Sequence, residues 1–247
     1  MKKEMKYCKN CVYPFATVNL DIDETGICSS CKSIDASNVI PDEFWSKRKE
    51  KLIKLIKDNS SNDSEYDCLI PVSGGKDSYY QAHVIIKELG LKPLLMTYHG
   101  NNFLPEADEN RDNMRHVFNA DHIIWGPSVD VLKKLNRLSF KKMGDMNWQN
   151  HVGIFSAPIQ IAQKFKIPLI IWGETEWDIS GMFDPNDFVE FSARLRHEHG
   201  IRGYEWYDFI GDKDDPLIEK DMIWAKYPSD EEILEVGIRG LYIGNFF

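Results

Sequence analysis

The sequence predicts an α/β fold: a parallel-sheet, three-layer domain preceded by a small cysteine-rich module. Three observations lead there. From Tyr66 onward, short apolar segments alternate with longer helical ones, the pattern of βαβ units. A glycine-rich turn, Ser73-Gly74-Gly75-Lys76-Asp77-Ser78, lies between an apolar strand and a helix. Ahead of both, four cysteines stand as two Cys-x-x-Cys pairs, Cys8/Cys11 and Cys28/Cys31.

Composition bounds the rest. With 247 residues and 43% hydrophobic content, the chain can bury one sizeable core and a small satellite module. No apolar run approaches the ~20 residues of a membrane span. The opening MKKEMKYCKNC lacks the apolar stretch of a secretory signal, so no membrane partner is expected. Five cysteines, an odd number without an export signal, point to a reducing cytoplasm and to thiolate ligands rather than disulfides. The net charge of −9 and pI of about 5.3 lower the expectation of a nucleic-acid partner, which leaves a basic footprint. A local basic patch stays open.

Taken in order, residues 1–36 read as a zinc ribbon. Sixteen residues separate Cys11 from Cys28, within the about 15–20 typical of paired-cysteine zinc sites. Four thiolates close a tetrahedral shell with no open position, so the Zn²⁺ is structural and supplies folding energy that so short a segment cannot find in a core. Thr17–Asp21 reads as a hairpin arm and Asp23–Gly26 as its turn; unrelated surface cysteines or a redox pair are the weaker readings. Residues 37–64 form a helix and linker. Pro41-Asp42-Glu43 starts the helix, which runs through Lys57 with Trp45, Leu52, Ile53 and Ile56 on one face. Asn59–Ser64 is then wholly polar.

Residues 65–247 form the main domain. Strands are predicted at Asp67–Val72, Lys92–Tyr98, His122–Trp125 and Pro168–Trp172, and helices at Ser78–Leu89, Glu106–Asn119, Val129–Lys142 and Ile154–Phe165. Gly90 suits a helix C-terminus. The apolar stretch Leu241–Phe247 reads as an interior strand, and in such a fold a nucleotide binds at the strand ends.

The loop at residues 73–78 carries the most information. Gly74 and Gly75 let the backbone approach a phosphate, and the amides of the following helix face its oxygens. Ser73 and Ser78 add hydroxyls, Lys76 a positive charge, and Asp77 a carboxylate able to hold Mg²⁺ against a leaving pyrophosphate. The spacing excludes the GxxxxGK[ST] loop. A structural tight turn is the plain alternative.

Other candidates are less specific. Gly173-Glu174-Thr175-Glu176-Trp177-Asp178 follows a strand, where an α/β fold places its ligand; Glu174 and Glu176 can bind Mg²⁺ or handle a proton, or the run is a solvated acidic loop. Tyr98 and His99 end the second strand and can cradle adenine or the α-phosphate, although a plain turn serves nearly as well. His151, ahead of a helix, is a proton carrier or a structural residue. Arg194, Arg196 and Arg202 lie in a cation-rich stretch that can clamp an anionic substrate, with Trp177 a further substrate contact; a charged helix end explains the arginines equally well. Cys68 is most simply a small buried residue.

The six loop residues match the SGGxDS signature of the PP-loop ATP pyrophosphatases. That resemblance implies ATP as co-substrate, cleavage to AMP and pyrophosphate, and transfer of AMP to a carbonyl or amide oxygen that a nucleophile then attacks. Over its whole length the chain resembles N-acetyl sugar amidotransferases of the WbpG/PseA type. The stretches that carry it are Tyr7–Pro14, Gly26–Cys31, Pro71–Ser78, Asn150–Ile154, Ile170–Glu176, His199–Tyr204 and Gly237–Tyr242. WGETE and HGIRGY are the more particular of these matches.

The resemblance implies conversion of an acetamido group on an N-acetyl sugar, plain, nucleotide-linked or nonulosonic, to an acetamidino group. Its products serve surface polysaccharide or flagellin glycans, as in lipopolysaccharide or pseudaminic acid. No cysteine has the setting of a glutaminase nucleophile, so ammonia is expected from outside, and the resemblance implies a HisH/HisF-like partner glutaminase as its source. Members of that family run on past residue 247, which implies a shortened chain. The alternatives are a PP-loop tRNA-modifying enzyme of the thiolation type, and a non-catalytic nucleotide-binding module.

Overall fold

The computed structural model describes residues 5–15, 20–59, 64–100, 103–173 and 190–247. These divide into two compact units, one of residues up to 55 together with 190 and 242–247, the other of 56–173 with 191–241.

In the first unit, isolated antiparallel bridges join Tyr7 to Pro14 and Ile22 to Cys28. They bring the cysteine pairs together around a small core of Cys8, Leu20, Cys28 and Cys31, with Ile22 and Ile27 packed against it. The predicted turn is held by Asp23, whose Oδ1 accepts from the amides of Thr25 (2.9 Å) and Ile27 (3.1 Å). Helix α1 (Ser29–Ser37) starts at Cys28, whose sulfur caps it by accepting from the Cys31 amide. Of the predicted hairpin arm, Thr17, Val18 and Asn19 lie outside the described residues. Helix α2 (Asp42–Asp58) has Asp42 and Glu43 in its first turn and Lys57 in its last, matching the helix dipole at both ends.

The second unit is built on a five-stranded sheet. Its strands are β1 (Cys68–Pro71), β2 (Pro93–Tyr98), β3 (His122–Trp125), β4 (Leu169–Trp172) and β5 (Arg239–Tyr242), in the order β3-β2-β1-β4-β5. The pairings β1–β2, β1–β4 and β2–β3 are parallel, with Leu69 opposite Leu94 and Ile170, and Leu95 opposite His122. Crossover helices are α3 (Lys76–Ala82), α4 (Pro105–Phe118), α5 (Val129–Met143) and α6 (Trp148–Phe165). Two short helices follow, α7 (Ala193–Leu195) and α8 (Asp230–Val236). Strand β2 is buried along its whole length, and so are all four residues of β4. That explains why both read as unbroken apolar runs rather than alternating ones. The order reverses at β1, which places a crevice between the C-terminal ends of β1 and β4.

The structure corrects three predicted boundaries. Helix α3 ends at Ala82 and passes into a π-helical turn, His83–Glu88, rather than running as one α-helix. Helix α6 begins at Trp148, six residues before the predicted start at Ile154. The polar run Gln149-Asn150-His151 hid its first turn, because it breaks the apolar periodicity although Gln149 itself is buried against Tyr98 of β2. The final apolar stretch is strand only to Tyr242; Ile243–Asn245 turn as a 3₁₀ helix. Among the described residues, no helix is long and apolar enough to cross a membrane.

A buried polar relay ties β1 to β3. The Thr97 hydroxyl donates to the Val72 carbonyl at 2.6 Å, and its oxygen lies 2.8 Å from His122 Nε2. Since the hydroxyl proton is used on Val72, His122 must carry its hydrogen on Nε2. Its Nδ1 is buried without a partner. Burial, then the positive charges of Arg111 and Arg115, lower the His122 pKa to about 4. The unfolded chain therefore takes up a proton near pH 6.5 that the folded chain refuses until about 4, so this residue removes stability as pH falls through that window. Thermal melts across it should show the midpoint dropping with pH, and His122→Asn should flatten the slope; an unchanged slope would remove His122 from the account.

Candidate functional site

The phosphate-type loop leaves β1 directly. The Val72 amide still donates to Met96 O at 2.8 Å, so the chain stays in the sheet until one residue before Ser73. Within the loop, the Ser73 amide donates to Ser78 Oγ (2.9 Å), the two serine hydroxyls lie 3.2 Å apart, and the Gly75 amide donates to Ser73 Oγ (3.3 Å). These bonds close the turn over the start of α3, with Gly75 as its N-cap residue. Gly74 has φ +84°, and a Cβ there would lie 2.8 Å from the Arg111 amide nitrogen. Both the backbone angle and the approach to α4 require glycine.

Lys76 and Asp77 project from this turn into solvent and touch each other at 2.6 Å, with side chains 90% and 73% exposed. An exposed pair of this kind contributes little stability, so neither side chain is committed to the fold. Asp77 is chemically suited to Mg²⁺, a hard cation that takes carboxylate and phosphate oxygens. Gly173 adjoins the same turn from β4: a Cβ on it would lie 2.9 Å from Gln81 Oε1 and 3.9 Å from the Asp77 carbonyl oxygen. The structure thus brings Ser73, Gly74, Gly75, Lys76, Asp77, Ser78 and Gly173 to one crevice. Glu174, Glu176 and Trp177, which follow Gly173 in the chain, lie outside the described residues.

Tyr98 is placed differently from a nucleotide cradle. Its ring is buried, its hydroxyl donates to Gln149 Oε1 at 2.8 Å, and it stacks on Trp224 with centroids 5.2 Å apart. Gly153 of α6 passes so close that a Cβ would lie 2.2 Å from the Tyr98 ring. Gln149 Nε2 then donates to Gly100 O at 3.1 Å, so the Tyr98 side chain anchors α6 to the end of β2. His99 stays at that end, its Nε2 3.7 Å from Asp108 Oδ1 and its ring 4.9 Å from that of Phe103.

His151 lies in the first turn of α6, not ahead of the helix, and is half-buried. Burial, followed by the nearby Arg202 charge, holds its pKa below the ordinary histidine value, which favours the neutral base. The arginines do not form one clamp. Arg202 pairs with Asp145, and Arg196 Nη2 donates to Glu205 Oε1 at 2.7 Å, so each has a carboxylate of its own. The side chain of Arg194 lies outside the described residues.

Arg111 was not picked out by sequence reasoning. Its side chain is buried on α4, Nη2 donates to Asp108 Oδ1 at 2.7 Å, and Nε and Nη1 have no partner. The run Asp108-Glu109-Asn110-Arg111-Asp112-Asn113 reads as a solvated surface. A signal was present all the same, because Arg111, Met114 and Phe118 recur at the three- and four-residue spacing of a buried stripe.

The four cysteine sulfurs of the first unit all lie within 4.8 Å of one another. Cys8 and Cys31 are 4.0 Å apart, Cys11 and Cys28 3.6 Å. A tetrahedron of Zn–S bonds of about 2.3 Å requires sulfurs roughly 3.8 Å apart, and the cluster could close on Zn²⁺ with a small contraction. Amides of Asn10 (3.4 Å) and Cys28 (3.3 Å) donate to Cys8 Sγ, as outer contacts to thiolate ligands do. The amide of Cys11 and these donors lower the Cys8 pKa to about 6, whereas burial pushes Cys31 up to about 12 and raises Cys28. A divalent cation would reverse the last two by holding the sulfurs as thiolates.

Two predictions follow from these geometries. Purified protein should contain stoichiometric Zn²⁺, and Co²⁺ substitution should give the bands of a tetrahedral tetrathiolate; Cys31→Ser should abolish both. A metal-free protein with an unchanged first unit would contradict this. Gly74→Ala should cost about 1–3 kcal/mol in loop geometry, read as weaker nucleotide binding by calorimetry; wild-type affinity would mean that the loop does not hold phosphate.

No family model and no curated protein matches the sequence. Among solved structures, the chain is similar to an NH3-dependent NAD synthetase from Campylobacter jejuni in complex with nitrate. That match has 15% identity and a TM-score of 0.40, over 55% of this chain and 58% of that one. It is also similar to an NMN synthetase from Francisella tularensis (16% identity, TM-score 0.38, 78% and 90% of the two chains). A third likeness is to a "predicted subunit of tRNA methyltransferase" from Methanocaldococcus jannaschii (18% identity, TM-score 0.32, 57% and 71%). Likenesses this slight say nothing of chemistry; the α/β fold stands on the strand order and parallel pairings of the chain itself.

Proposed function

We propose that the second unit is an ATP-dependent amidotransferase that activates the acetamido group of an N-acetylated sugar and replaces its oxygen with nitrogen. The observation that supports this reading is the Ser73–Ser78 turn. It leaves the central strand, has glycine where phosphate must approach, and presents Lys76 and Asp77 uncommitted beside Gly173. Cations and amides at that position stabilise the charge that develops as pyrophosphate leaves.

In this mechanism the acetamido oxygen attacks the α-phosphorus, the bond to the β-phosphate bridging oxygen breaks, and pyrophosphate leaves with the electron pair. Ammonia adds to the imidate carbon of the adenylated acceptor and loses one proton. AMP departs with the former acetamido oxygen, leaving an acetamidinium. Lys76 neutralises the departing phosphates, and Asp77 would hold Mg²⁺, which supplies charge neutralisation there. His151, kept neutral by burial, accepts the proton from ammonia; Glu174 and Glu176 are further proposed acceptors. A separate glutaminase supplies the ammonia, and the first unit holds Zn²⁺ in a structural role.

The test supplies ATP, Mg²⁺, ammonium chloride and a panel of N-acetylated, nucleotide-linked and acidic nine-carbon sugars. AMP and pyrophosphate should form with one sugar, together with a product lighter by the difference between O and NH. Lys76→Met should slow turnover by about 100-fold or more. AMP formation that depends on added tRNA and on no sugar would move the assignment to tRNA modification.

A further inference from the structure

Beside β4, on the face covered by α6, the second unit holds a cavity of about 180 Å³ that none of the loop residues line. One wall is aromatic: Trp172 and Phe191 lie with ring centroids 5.3 Å apart and 31° between their planes. Gly240 makes that arrangement possible, since a Cβ there would lie 2.6 Å from the Trp172 ring and 2.7 Å from Phe191 Cβ. Ile170 and Ile233 extend the apolar lining. The opposite side is polar, formed by Arg196 and Tyr227, with the Arg196 guanidinium carbon 4.3 Å from the Tyr227 ring centre. The Tyr227 hydroxyl and Arg196 Nε of these two lining residues are buried without a hydrogen-bond partner. Leaving such groups unpaired costs stability, which an acceptor oxygen that reached them on binding would recover.

The charge balance selects the ligand. Arg196 is already neutralised by Glu205, and Asp230 also lines the cavity, so an anion gains little here. A neutral group with a methyl face and a carbonyl oxygen fits both walls. The volume corresponds to about six waters at ~30 Å³ each, enough for an acetamido group and part of its ring but too small for a nucleotide. The position fits as well: Trp172 is the residue before Gly173, which adjoins the Asp77 carbonyl.

We propose that this cavity is the acceptor subsite, taking an uncharged acetamido-bearing ring with its methyl against Trp172 and Phe191 and its oxygen on Tyr227 and Arg196. The assignment rests on the amidotransferase reading for its substrate class and not for its geometry. Tyr227→Phe removes one hydroxyl and leaves no hole, and Ala193→Phe places a ring at the exposed edge of the cavity.

Saturation-transfer NMR with N-acetylglucosamine and the deacetylated glucosamine should show transfer to the acetyl methyl and none to glucosamine. Tyr227→Phe should weaken that binding about tenfold while its melting temperature does not fall, because an unpaired buried hydroxyl is removed. Ala193→Phe should abolish the signal. ATP affinity, measured calorimetrically on the same samples, reports on the loop separately. ATP binding without any acetyl-methyl signal, or a signal indifferent to both variants, overturns the subsite. A methyl signal lost in Ala193→Phe, in a protein that neither binds ATP nor forms AMP, supports the subsite and overturns the enzymatic reading instead.

Discussion

The hydrogen bond from the Thr97 hydroxyl to the Val72 carbonyl is the constraint on which the strand-end architecture depends. Val72 is the last residue that the sheet holds before the chain turns into the glycine loop, and its amide and carbonyl are both fixed from β2. The bond is buried, so water cannot compete for it, and losing either partner would strand a polar group at a cost of about 1–3 kcal/mol. His122 continues the relay into β3, a strand with partly buried residues and an exposed Ile124. An edge strand thereby helps to position the central one.

A second set of contacts fixes α6 over the sheet. Tyr98, Gln149 and the Gly100 carbonyl form one chain of hydrogen bonds, while Gly153 lets the helix backbone meet the tyrosine ring. Trp148 Nε1 donates to the carbonyls of Ile201 and Tyr204, at 3.0 and 3.1 Å, and so ties the start of α6 to the segment that carries Arg202. The first turn of this helix thus carries an anchor, Gln149, that looks like an ordinary polar residue.

The two units obtain their order by different means. The second buries strands on both faces and draws its stability from apolar contact. Around its cysteine cluster the first has a small core of Cys8, Leu20, Cys28 and Cys31, and a metal bound there would supply order that so little apolar area does not. Its thiols illustrate the point: burial alone would keep Cys28 and Cys31 protonated, whereas a cation would make their burial favourable.

Much of this was legible in the chain. Local chemistry repeats at short range, so the cysteine spacing, the apolar runs of β1 to β4 and the glycine loop each announced themselves within about 20 residues. Arg111, Gln81 and Gln149 did not, because a buried polar residue has the same letter as a solvated one and its burial depends on a neighbour far along the chain. Tyr98 stood beside the loop in sequence logic, yet packing turned its ring under α6. The cavity between Trp172, Phe191 and Tyr227 joins residues more than 50 positions apart. By itself, then, the sequence determined the strand–loop–helix unit and the cysteine cluster, since both are written in local spacing. Only tertiary structure decided which polar side chains were committed to the fold and which were left for a ligand, because that choice is made by contacts between distant segments.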